Sequence, residues 1–280
     1  MTNETVAIPA WTPTPEALNE LRAAYLSARP WPHVVVKDVF PAELLQQIFA
    51  EAQEIDRSQM RVSRTKRHTK LETSARSQLG HATLAMQDFL DGPDFRQTLS
   101  AVTGVADLLP DPSHYAAGIH ETPQGGKTMI HIDFARHPET KQHHRVNVLL
   151  YLNPEWREEW GGQLELWPAD MSRVGARIQP TANTMVIWET HGGTLHGLPD
   201  PVAGPPGTSR FALASYYFTE KPAERTVDRA ALGTFVARPS DSRLTGLPLP
   251  RDLVRAFLPM KLQSILWSLA ERVRGRGAGR

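Results

Sequence analysis

Cysteine is absent from all 280 residues. That absence excludes disulfides, thiolate zinc sites, iron–sulfur clusters and cysteine nucleophiles together, and it fits a reducing compartment. Long apolar runs are missing too, since no stretch is long enough to span a bilayer. The opening MTNETVAIPAWTPTPEALNE has neither a basic start nor an apolar segment, so no secretory signal is read there. A cytoplasmic protein without a membrane partner is the expectation. Net charge is also nearly absent, with 31 Lys+Arg against 30 Asp+Glu. The chain as a whole therefore gives no electrostatic reason to expect a nucleic-acid partner. GxSxG, a Walker loop and a dinucleotide-binding GxGxxG are all lacking, and no internal repeat is visible.

What remains is an ordinary globular composition, 40% hydrophobic and 22% charged, at a length suited to one elaborated β-rich domain. The first third reads as mainly helical. HVVVKDVF (His33–Phe40) has the β-branched content of a strand. A helix follows over Pro41–Ile55, with Leu44, Leu45, Ile48, Phe49 and Ala52 at helical spacing. Further helices are predicted over Ser77–Leu90 and Asp94–Val102, the second stopped by Gly104. Between Ile55 and Ser77, RVSRTKRHTK (Arg61–Lys70) is strongly basic but lacks interleaved aromatics. It reads first as a solvated loop, then as a lid over an anionic substrate, and last as a nucleic-acid patch.

From about Tyr115 the pattern changes. AAGIHE, TMIHIDF, VNVLLYLN, QLELW, ARIQ, TMVIWE, TLHGL and FALASYYF follow one another, separated by Gly, Pro, Asn and Asp. Such a series argues for an antiparallel double sheet or barrel and against alternating βα units. A last helix is predicted over Arg251–Val273, before the frayed RGRGAGR end. The plan is α+β with a mainly β core: one domain with a helical N-terminal part (1–114), a β core (115–222) and a C-terminal helical extension (223–280).

Within TMIHIDF, His131 and Asp133 lie two apart. On a strand they point to one face and can converge on one cation, while Ile130 and Ile132 face apolar packing. His196 would complete a set of two histidines and one carboxylate, leaving three positions of an octahedral iron open. Two of these suit a 2-oxo acid chelate and one suits dioxygen. Arg210 begins the last core strand and shares a face with the small Ala212 and Ala214. Its guanidinium can bind the distal carboxylate of 2-oxoglutarate in bidentate fashion.

His131-x-Asp133, His196 and Arg210, together with GIHETPQGGKTMIHIDF, RVNVLLYLNPEWREEWGGQLELW and RFALASYYFTEKP, resemble the prolyl-4-hydroxylase-like branch of the Fe(II)/2-oxoglutarate dependent dioxygenases over residues 115–222. The upstream TGVADLLPDP is similar to bacterial members as well. The loop between His196 and Arg210 is a few residues longer than is usual. The resemblance implies a double-stranded β-helix (jelly roll), with Fe(II), 2-oxoglutarate and O2 as cofactor and co-substrates and succinate and CO2 as products. It implies a hydroxylated small molecule, amino acid or peptidyl residue. It also places Tyr151 beside the distal carboxylate of 2-oxoglutarate and Leu164 on the wall of the same pocket. His196 is preferred to the turn residue His191 as third ligand, since the family carries that histidine on a returning strand. Retention of Asp133, where related halogenases have a small residue, favours hydroxylation, desaturation or ring formation over halogenation. His120, Arg136, His137, Arg145 and His191 are candidates for substrate recognition, against a structural or solvated role for each. Two other readings stay open: a cupin-type metalloprotein without 2-oxoglutarate, and a non-catalytic binding protein on the same fold.

Overall fold

The computed structural model describes residues 6–65, 67–73, 75–190, 193–222 and 234–241. Four helices come from the N-terminal part. Helix α1 (Pro15–Ser27) starts at Thr14, whose side chain accepts from Ala17 N at 3.3 Å, with proline in the first turn. Strand β1 (His33–Lys37) and helix α2 (Ala42–Glu54) follow, α2 burying Leu44, Leu45, Ile48 and Ala52. Strands β2 (Arg61–Thr65) and β3 (His68–Glu72) form a hairpin. Helices α3 (His81–Asp91) and α4 (Pro93–Thr103) share Gly92 as the end of one and the start of the other. Gly104, at φ +81°, closes α4 in the left-handed conformation that glycine adopts without steric cost.

The β core then runs through β4 (Leu109–Pro110), β5 (Gly118–Pro123), β6 (Thr128–Ile132), β7 (His143–Tyr151), β8 (Leu164–Trp167), β9 (Ala176–Ile178), β10 (Thr184–Glu189), β11 (Leu195–Leu198) and β12 (Ser209–Thr219). A short β13 (Thr234–Phe235) pairs with β6. The hydrogen-bonded order is β1-β10-β7-β12-β5-β3-β6-β11-β8-β9, and these neighbours pair antiparallel. The sheet curls over on itself. Strands β10 and β11 lie far apart in that order, yet the rings of Trp188 and His196 meet at 5.0 Å. This is the jelly roll that the sequence leads one to expect.

Alternation along the central strands divides the interior in two. Val146, Val148, Leu150 and Leu152 of β7 and its exit, with Phe211, Leu213 and Tyr217 of β12, join the cluster that packs the helices. Their neighbours Tyr151, Ala212, Val186 and Trp188 turn the other way and meet Leu164 and Leu166 from the opposite half of the curl. The helical layer thus covers the outside of the sheet, and the polar site occupies its concave side.

Three expectations need correction. The basic Arg61–Lys70 stretch is not a solvated loop: its described residues form most of the β2–β3 hairpin, which the sheet takes in between β5 and β6. Arg61 bonds Glu72 at 2.9 Å and Lys70 pairs with the same carboxylate. A local count of charge cannot see that partner. The N-terminal part accordingly holds more strand than the expected His33–Phe40 segment, since β2, β3 and β4 join the sheet beside β1. The helix expected from Ser77 begins at His81, because Arg76–Gln78 forms a separate 3-10 turn ahead of Gly80. Helix α1 went unread. The predicted Arg251–Val273 helix lies outside the described residues.

Strand β11 runs very close to β6: a Cβ on Gly197 would lie 2.8 Å from both the Met129 and the Thr128 carbonyl oxygens. Gly197→Ala must force apart the strands that carry His131 and His196. The expected cost is about 1–3 kcal/mol in urea unfolding of the metal-free protein. An unaltered unfolding free energy would mean that the two strands have slack to give.

Candidate active site

His131 and His196 are direct register partners across β6 and β11, and their rings lie 4.5 Å apart. Asp133 follows immediately after β6 ends at Ile132. Its Oδ1 is 3.3 Å from His131 Nε2 and its Oδ2 is 3.5 Å from His196 Nε2. One donor atom from each residue falls within 4.8 Å of the others. Neighbouring donors on an octahedral ion with bonds of about 2.1 Å stand roughly 3 Å apart, so the set is dimensioned to hold a small divalent cation.

The tautomers suit that task. His131 Nδ1 donates to the Met129 carbonyl at 3.0 Å, and His196 Nδ1 donates to the Thr194 carbonyl at 2.9 Å. A neutral ring with its proton on Nδ1 carries its lone pair on Nε2, the nitrogen facing Asp133. Burial lowers the His196 pKa to about 4, against the opposing pull of Asp133, so this ring is neutral near pH 7. Burial pushes the Asp133 carboxyl up, but His196, His131 and His144 together outweigh it and hold the group well below the usual carboxylate range. A charged carboxylate thus faces two ring nitrogens free to bind metal.

Arg210 and Tyr151 lie deeper on the same concave face. Arg210 is 3% exposed, its guanidinium stacks 4.8 Å over the Tyr151 ring, and it donates to the phenol oxygen at 3.0 Å. Burial raises the Tyr151 pKa, so the phenol stays protonated. Among the described residues the Arg210 Nε has no hydrogen-bond partner, and neither has the buried Trp188 Nε1. A buried cation with an unsatisfied donor is costly unless an anion joins it, which is the demand a dicarboxylate would meet. Leu164 is buried beside Tyr151, Val186 and Trp188.

The substrate candidates fare less evenly. His137 is fully buried, and both ring nitrogens are committed: Nε2 to Asp111 and Ser113 at 3.2 Å, Nδ1 accepting from the Glu139 and Thr140 amides. It knits a loop together and is not free to meet a substrate. Arg145 pairs with Glu189 at 2.8 Å, while its Nε has no hydrogen-bond partner among the described residues. Arg136 is exposed, its backbone bridged to His143. His120 sits on the concave face in register with Ala212 and Glu72, but its Nε2 bonds the Ala116 carbonyl at 2.8 Å. His191 lies outside the described residues. The reading missed three concave residues: Asn147, which bonds Asp133, and the rings of Trp188 and Tyr216 on either side of it in register. Strand alternation reaches Asn147 from Tyr151 and Tyr216 from Arg210, whereas Trp188, on β10, follows only from the register.

Residues 117–218 match the model of the 2OG-Fe(II) oxygenase superfamily. They form a 2OG-Fe(II) oxygenase domain. It works with Fe(II), 2-oxoglutarate and O2, as a 2-oxoglutarate dependent dioxygenase, and no curated protein matches its sequence. The oxygenase shares its fold with solved prolyl hydroxylases. One from Trichoplax adhaerens, in complex with a hypoxia-inducible-factor peptide fragment, aligns at TM-score 0.54 and 16% identity, over 75% of this chain and 95% of that one. A prolyl-4-hydroxylase from Pseudomonas putida aligns at 0.51 and 18%, over 73% and 100%. A prolyl 4-hydroxylase from Phytophthora capsici aligns at 0.54 and 17%, over 99% and 95%. Among the described residues no helix is long and apolar enough to cross a membrane.

Removing the phenol oxygen by Tyr151→Phe takes away the one hydrogen bond found for the Arg210 guanidinium among the described residues. The oxygenase without 2-oxoglutarate should lose about 1–3 kcal/mol in denaturant unfolding. No loss would show that the guanidinium is satisfied elsewhere.

Proposed function

We propose that this oxygenase hydroxylates an unactivated C–H bond of a small molecule, an amino acid or a peptidyl residue, with His131, Asp133 and His196 holding Fe(II) and Arg210 and Tyr151 holding 2-oxoglutarate. The observation that carries the reading is the presence, on one concave face, of a three-donor set of metal-ligand dimensions and a buried guanidinium with an unsatisfied N–H. The donor chemistry agrees. Two neutral imidazoles and one carboxylate leave half of an octahedral shell for the co-substrate chelate and dioxygen.

When bound, the iron supplies the oxidant that takes a hydrogen atom from carbon. The balance is R–H + O2 + 2-oxoglutarate → R–OH + succinate + CO2. The chain's own residues bind and orient. Arg210 and the Tyr151 hydroxyl take the distal carboxylate of 2-oxoglutarate by charge-assisted hydrogen bonding, and Leu164 supplies an apolar wall for the carbon chain. The opposite side of the face belongs to the substrate. There Arg61, Glu72 and His120 stand in one register row with Ala212 and Tyr151, so the substrate meets a polar, partly charged wall. The prolyl hydroxylase from Trichoplax adhaerens binds a peptide fragment, which supports a peptidyl residue among the candidates. Arg210 speaks against a metalloprotein working without a carboxylate co-substrate, which would leave the guanidinium's open donor without purpose.

The test needs no substrate. Anaerobic addition of Fe(II) and 2-oxoglutarate should produce the weak visible charge-transfer band of the chelate, lost in His196→Ala and kept in His191→Ala. Iron-loaded protein that gives no band would overturn the reading. Arg210→Ala should raise the 2-oxoglutarate requirement by about 30-fold or more and change iron affinity far less. An equal effect on both would deny Arg210 its anchoring role.

A further inference from the structure

Asp133 stands just beyond the last hydrogen-bonded residue of β6, so the ladder does not aim its carboxylate. Something else must. Asn147, in the middle of β7 and 2% exposed, reaches across the concave face and donates from Nδ2 to Asp133 Oδ2 at 2.6 Å. A carboxylate only accepts, so the amide NH2 must face it and the amide oxygen must face away. That oxygen, Oδ1, lies 2.6 Å from His144 Nε2, which donates to it. His144 is itself held: its backbone N–H donates to the Ala135 carbonyl at 3.0 Å, and its ring stacks on Phe134 at 4.7 Å. The chain of contacts begins and ends on the segment that carries Asp133.

We propose that Asn147, oriented by His144, is a positioning residue that occupies one oxygen of Asp133 and so restricts this carboxylate to binding the metal through the other. The inference rests on the metal triad proposed above. A carboxylate free to bind through both oxygens would consume one of the three positions that the 2-oxo acid and dioxygen need. Asn147 holds Oδ2, and Oδ1, 3.3 Å from His131 Nε2, is left for the ion. The relay thereby keeps the coordination shell open, and outer partners of this kind orient the ligands they bond.

Co(II) serves as the probe, added to the full-length protein and followed by its visible absorption. Asn147→Ala should bind Co(II) about 10–100-fold more weakly, with an altered band shape as the carboxylate changes its mode of binding. At saturating Co(II) it should also bind 2-oxoglutarate more weakly, although Arg210 and Tyr151 are untouched. His144→Leu should reproduce the effect in part. His144→Gln, whose amide N–H can reach the place of the ring Nε2–H, should restore affinity to within about 3-fold of the parent. A folding defect alone would move neither the spectrum at saturation nor the difference between Leu and Gln. Parent-like affinity and spectrum in Asn147→Ala, with binding abolished in Asp133→Ala, would overturn the relay and leave the triad standing. Undiminished Co(II) binding in both His131→Ala and Asp133→Ala would remove the triad, and the relay with it.

Discussion

The pairing of β7 with β12 at the centre of the sheet is the constraint on which the other features hang. Side chains on a strand alternate, so each residue of this seam belongs to one of two environments. Val146, Val148 and Leu150 go to the helices; Asn147, Leu149 and Tyr151 go to the concave side. A slip of one residue would exchange the two sets. It would bury Asn147 and Arg210 under apolar helices and turn the helix-packing residues toward the metal donors. The many large apolar side chains that the helices contribute, from Tyr25 to Val102, therefore fix register as well as stability.

Within that frame the site is an arrangement of buried charge. Arg210 is buried and Asp133 is largely shielded from water, and each would be costly alone. The two are handled differently. Asp133 is surrounded by donors and ring nitrogens. Among the described residues Arg210 has only the Tyr151 oxygen and keeps an open N–H. One is provisioned to stay charged in the resting protein, and the other is left short of an anion. That asymmetry suits a fixed ligand on one side and an exchangeable co-substrate on the other.

Much of this could be read from the chain. Eight strand segments, the His131-x-Asp133 spacing and the position of Arg210 at the head of the last strand all follow from period-two patterning and short turn signals. Other features could not. The basic Arg61–Lys70 stretch was misread because Glu72 and the edges of β5 and β6 are what make it a hairpin. His137 looked like a recognition residue because Asp111 and Ser113, which tie it down, are remote from it in sequence. Asn147 passed as one polar residue in an apolar strand, since nothing local announces that Asp133 lies across from it.

Which residue types can bind metal and anion, and that a β core carries them, are legible along the chain, because these depend on side-chain chemistry and on a periodicity set within each strand. Which of the candidates share a face, which are already bonded, and which keep a donor open emerge only on folding. Those properties arise where strands distant in the chain are brought into register by the curl of the sheet. His131 opposite His196, Asn147 against Asp133 and Trp188 against His196 are all pairings of that kind. No local pattern encodes them, because the free energy that makes them comes from burying the whole sheet at once.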